Sequence, residues 1–97
     1  MKPNKTEFLI HLQNVIDDRR QAMPRDSYTT LLFQKGIGKI AQKVGEEAVE
    51  LILESKDGER DLFLNEAADL LYHFLVLLSA KELRIEDVIE VLEGRHK

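Results

Sequence analysis

Cysteine is absent from the sequence, which rules out both a disulfide framework and a thiolate zinc site. That composition suits a reducing cytoplasm, and a cytoplasmic location is expected. Two prolines and five glycines in 97 residues leave little room for the many turns of a β architecture. Long apolar runs are also missing. The greasiest stretch, Ala67 to Ala80, has 14 residues and carries Asp69 and His73. As a helix it would reach about 21 Å, short of the roughly 30 Å hydrocarbon core of a bilayer, so no membrane partner is expected. The opening Met1-Lys2-Pro3-Asn4-Lys5 enters an amphipathic pattern directly, and no targeting leader is expected. A basic excess is lacking too: the net charge is −4, which argues against a nucleic-acid partner.

What is present is helical periodicity. The length suits a single domain over residues 1–97. A first helix is predicted from Asn4 to Ala22, with Asn4 and Glu7 as a capping box and Pro24 closing it. A short helix follows from the N-cap Ser27 through Tyr28, Leu31, Leu32 and Phe33, and Gly36-Ile37-Gly38 reads as the next turn. The third helix, Lys39 to Ser55, places Ile40, Val44, Ala48 and Leu51 on one stripe. Gly45 inside it suggests a close helix contact. After a turn at Lys56-Asp57-Gly58-Glu59, a fourth helix runs from Arg60 to Ala80. A fifth runs from Ile85 to Arg95, with Ile85, Val88, Ile89 and Leu92 in register. The fold class is all-α, an antiparallel bundle of about five helices. From Leu70 to Leu78 the fourth helix is apolar on nearly every side, which predicts a homodimer through an outward leucine such as Leu75 or Leu78.

The acids are not spread evenly. Glu46, Glu47 and Glu50 form one short cluster and Glu66 and Asp69 another; without them the chain would be close to neutral. Glu47 with Glu50, and Glu66 with Asp69, are spaced i,i+3, so each pair points one way from its helix. A turn near Gly58 would bring the two pairs face to face, as a hard divalent cation requires. Charged helix residues are ordinarily solvated. Here, however, Glu66 and Asp69 have no basic residue one turn away and sit among Ala67, Ala68, Leu70 and Leu71, where an unpaired charge is costly. His73 follows Asp69 by one turn, either touching phosphate, orienting a ligand, or simply satisfied in the core. Lys35, Lys39 and Lys43 recur every four residues toward the acids and are candidates for phosphate contact.

The pattern Glu46-Glu47-x-x-Glu50 followed by Glu66-x-x-Asp69 resembles the signature of the MazG-like all-α nucleotide pyrophosphohydrolases. Within them, Ser27-Tyr28-Thr29, Ile40 to Glu47 and Asn65 to His73 resemble the phosphoribosyl-ATP pyrophosphatase family. The resemblance implies hydrolysis of phosphoribosyl-ATP to phosphoribosyl-AMP and pyrophosphate in histidine biosynthesis. It also implies Mg²⁺ as cofactor and a homodimer with sites near the interface. On that reading Glu47, Glu50, Glu66 and Asp69 are metal ligands. Glu46 and Glu47 are catalytic, with Glu46 a further metal ligand or the base. Tyr28, Thr29, Lys35, Lys39, Lys43 and His73 meet the substrate. The rival readings are a sister pyrophosphohydrolase acting on other nucleoside triphosphates and a helical assembly module with purely surface acids.

Overall fold

The computed structural model describes residues 4–96, apart from the Asp57 side chain, and contains five helices: α1 Lys5–Ala22, α2 Tyr28–Lys35, α3 Ile37–Asp57, α4 Arg60–Ala80 and α5 Ile85–Arg95. Local chemistry sets most of the boundaries. Asn4 Oδ1 accepts from the Glu7 amide at 2.7 Å while Glu7 Oε2 accepts from the Asn4 amide at 3.4 Å, a complete capping box. α1 ends at Met23, which takes a left-handed φ of 49°. Proline disfavours helical geometry in the residue before it, so Pro24 stops the helix through Met23. Ser27 caps α2 by accepting from the Thr30 amide at 3.2 Å.

The expected Gly36-Ile37-Gly38 turn shrinks to one residue. Gly36 alone leaves the helix, at φ 92°, and its carbonyl already accepts from the Ile40 amide at 3.1 Å. Ile37 and Gly38 therefore form the first turn of α3. At the other end α3 continues to Asp57, and Gly58 at φ 67° provides its left-handed cap. Gly45 makes no close helix contact among the described residues: a Cβ built there meets nothing within 4 Å.

α3 and α4 form an antiparallel spine, with α1 against α4, α2 against α3 and α1, and α5 against α1. Every helix contributes to the core, through Ile16, Leu32, Ile40, Leu75, Val76, Leu78 and Ile85. Gln13, wholly buried, fastens three helices. Its Nε2 donates to the Leu75 carbonyl at 3.3 Å and its Oε1 accepts from the Ile85 amide at 3.1 Å. Arg84 adds a polar strap, donating to Asp17 Oδ2 at 2.9 Å and Asn14 Oδ1 at 2.8 Å.

This core covers one end of the spine only. Leu75 and Leu78, either of which was expected to face outward, are 0% and 7% exposed, because α1 packs over the C-terminal half of α4 with Ile85 in the same core. The largest contiguous share of exposed apolar side chains on the spine lies at the opposite end of the hairpin, on Val49, Ile52 and Leu53 of α3 and Leu62, Phe63 and Leu64 of α4. Ile89 and Leu92 of α5 are also exposed, while Ile85 is buried. By length and composition α4 is apolar enough to cross a bilayer, more than the 14-residue run alone suggested. Its buried His73 and Ser79 are nevertheless tied to other helices, as suits a helix in the middle of a bundle.

Candidate metal centre and lysine groove

The spine places acids from both helices together where the covered half meets the bare half. One carboxylate oxygen from each of Glu47, Glu66 and Asp69 lies within 4.8 Å of the others. Ligand oxygens on opposite sides of a hard cation are about 4–5 Å apart, so the trio fits a single ion. One oxygen, Glu66 Oε2, is buried with no hydrogen-bond partner among the described residues, while the carboxyl as a whole leans on the neighbouring Glu47 carboxylate. A buried carboxylate oxygen left unpaired is costly, and a cation would satisfy it. Burial first, then the charges of Glu50 and Glu47, hold the Glu66 carboxyl above the ordinary carboxylate range.

Glu50 is thus near enough for its charge to be felt at Glu66, yet it is exposed and stands outside the trio. Glu46 is exposed as well, and its Oε2 accepts from Gln42 Nε2 at 3.1 Å. The expected set of four ligands therefore resolves into three convergent carboxylates with Glu50 alongside.

His73 is 5% exposed. Its Nδ1–H donates to the Asp69 carbonyl at 2.8 Å, which leaves Nε2 to accept from the Tyr28 hydroxyl at 2.7 Å. Nδ1 also lies 3.5 Å from Glu47 Oε1. Burial raises the Tyr28 phenol above its usual range, with Lys43 opposing and Glu47 reinforcing, so the hydroxyl stays protonated as donor. His73 accordingly braces Tyr28 from behind, with Glu47 beside it. Thr29 is 1% exposed and its hydroxyl pairs with that of Tyr72, so it fixes α2 against α4 and does not line the open surface.

Between α2 and α3 runs a groove of about 450 Å³, to which α2 contributes Tyr28, Leu31 and Lys35, and α3 contributes Lys39, Gln42 and Lys43. All three lysines of the four-residue series meet there. Lys43 Nζ is 4.0 Å from Glu47 Oε1, so the groove opens onto the acidic trio. Leu31 lines this groove although no motif marks it. Gln42, in the groove, and Tyr72, behind it on Thr29, fall inside the family-like runs but were given no role from the sequence.

The chain matches the family described as phosphoribosyl-ATP pyrophosphohydrolase over residues 9–96. It is 54% identical over 89 residues to the histidine biosynthesis bifunctional protein HisIE of Bacteroides thetaiotaomicron, covering 92% of this chain and 44% of that one. It is 46% identical over 94 residues to the phosphoribosyl-ATP pyrophosphatase of Clostridium acetobutylicum, covering 97% and 86% respectively. The HisIE protein of Bacillus subtilis is 49% identical over 85 residues, 88% of this chain and 41% of that one. The chain thus spans less than half the length of these bifunctional relatives and most of the clostridial one. Trio, histidine brace and lysine groove all fall inside the matched residues, and the chain belongs to the phosphoribosyl-ATP pyrophosphohydrolase family.

Proposed function

We propose that this chain, as a single domain, hydrolyses phosphoribosyl-ATP to phosphoribosyl-AMP and pyrophosphate in the cytoplasmic pathway to histidine. The observation that carries this reading is the junction of an acidic trio with a lysine groove, in a chain of this family. Water adds across the anhydride between the α and β phosphates. One phosphorus–oxygen bond forms, another breaks, and pyrophosphate leaves with the α-phosphate retained on the nucleotide.

Glu47, Glu66 and Asp69 would hold the metal, with the Glu50 charge beside them. Magnesium, when bound there, supplies charge neutralisation for the phosphates and lowers the pKa of a coordinated water. Glu46, exposed and outside the trio, accepts the proton of the attacking water. Lys43 offsets charge on the departing pyrophosphate, and Tyr28, held by His73, forms the wall along which the nucleotide lies. Thr29 acts on the substrate indirectly, by fixing α2.

The working unit is a homodimer. Support comes from the bare end of the spine, where Ile52 and Leu53 are 59% and 61% exposed beside Leu62, Phe63 and Leu64. Apolar surface of this extent calls for a partner, and a second copy is always at hand.

Incubation of the purified protein with phosphoribosyl-ATP and Mg²⁺ tests the reading. Pyrophosphate and phosphoribosyl-AMP should appear in equal amounts, and EDTA should stop the reaction. Release of single phosphates, or preference for an ordinary deoxynucleoside triphosphate, would refute it.

A further inference from the structure

The lysine groove is electrically graded. Lys39, Lys43 and Glu47 follow at four-residue intervals on α3, which puts Lys39 about 12 Å along the helix axis from Glu47. Lys43, 4.0 Å from the Glu47 carboxylate, belongs to the acidic end. Lys35 closes α2 and Lys39 stands in the first turn of α3, on either side of Gly36. No side chain caps that start of α3, so its backbone donors and partial positive charge add to the two lysines. Among the described residues neither lysine is paired with a carboxylate; Lys39 reaches only Gln42 Oε1, at 3.4 Å.

Two kinds of phosphate are suited to the two ends. A polyphosphate beside Glu47, Glu66 and Asp69 needs a cation to offset the carboxylates. A monophosphate at the Lys35–Lys39 end needs none. We propose that Lys35 and Lys39 hold the lone phosphate on the second ribose of the substrate, and that this contact distinguishes phosphoribosyl-ATP from ATP. This role presupposes the phosphoribosyl-ATP activity proposed above and deepens it. Phosphoribosyl-ATP carries a triphosphate at one extremity and a single phosphate at the other, with a purine and two riboses between. Tyr28 and Leu31 line the groove with apolar surface for those rings. ATP has no group to place at the lysine end.

Calorimetric titration of the metal-free protein with phosphoribosyl-AMP and with AMP reads this contact without catalysis. The wild type should bind phosphoribosyl-AMP about tenfold or more tightly than AMP, the scale of a charge-assisted hydrogen bond. Lys35→Gln and Lys39→Gln should each erase most of that difference while affecting AMP much less. Equal affinity of the wild type for the two ligands, or equal loss of both in the variants, overturns the assignment. Turnover separates the two levels. A wild type that cleaves phosphoribosyl-ATP but fails the titration keeps its activity and loses the lysine role, whereas absence of cleavage defeats the activity itself.

Discussion

The Tyr28 hydroxyl donates to His73 Nε2 across 2.7 Å, joining the first residue of α2 to the acidic face of α4. Because the opposite nitrogen of the same ring is engaged by the Asp69 carbonyl, the imidazole cannot turn without breaking both bonds. Removing the hydroxyl in Tyr28→Phe leaves a buried nitrogen without a donor. A loss of about 1–3 kcal/mol is expected, measured by urea unfolding. The Michaelis constant should rise as well, because the groove wall is no longer held. Unchanged stability and unchanged KM would show that the bond does not brace the site.

Asp69→Asn should abolish most of the turnover yet leave the metal-free fold intact, since it relieves repulsion among clustered carboxylates. The deciding measurement is a pair of thermal melts, with and without Mg²⁺. Wild-type protein should gain stability from the ion by mass action and the variant should gain little. An equal gain in both removes Asp69 from the ligand set.

The raised Glu66 carboxyl has a consequence for pH. A group whose pKa is higher folded than unfolded contributes stability below its ordinary value, here 4.5, and loses it as pH rises through the folded value. In EDTA, Glu66→Gln lacks that loss. Its stability relative to wild type should therefore grow as pH climbs from the ordinary carboxylate range upward, then level off. Chemical unfolding across that range checks the sign; a difference that shrinks with rising pH contradicts it.

Concentration dependence probes the bare end of the spine. The unfolding midpoint of the wild type should rise with protein concentration. Leu53→Lys, on a residue 61% exposed, should yield monomer without disturbing the core. Leu75→Ala, at a residue 0% exposed, should instead cost about 2–5 kcal/mol within each chain. Light scattering that finds a stable 11.2 kDa wild-type monomer at micromolar concentration would refute the dimer.

How much of this was legible in the sequence follows from the range of each interaction. The ends of α1 and α2 rest on caps and stops a few residues away, and the reading places the ends of α1, α2, α4 and α5 within a residue. The convergence of Glu47, Glu66 and Asp69 was also readable, because i,i+3 spacing and one short turn suffice to aim them. Pairings between distant segments were not. Nothing in Thr29 announces Tyr72, and nothing in the all-round apolar α4 tells which leucines α1 will cover. The role given to Gly45 failed because a small residue signals only permission for a close approach, and no helix among the described residues uses it.

The Gln13 clamp bears on how the chain is made. Its two partners lie 62 and 72 residues further along, at Leu75 and Ile85. During synthesis the carboxamide leaves the ribosome long before either partner exists, and until then only water can satisfy it. The site where α1 docks is incomplete until α5 has emerged, so α1 must wait for Leu75 and Ile85 before the core around it can close.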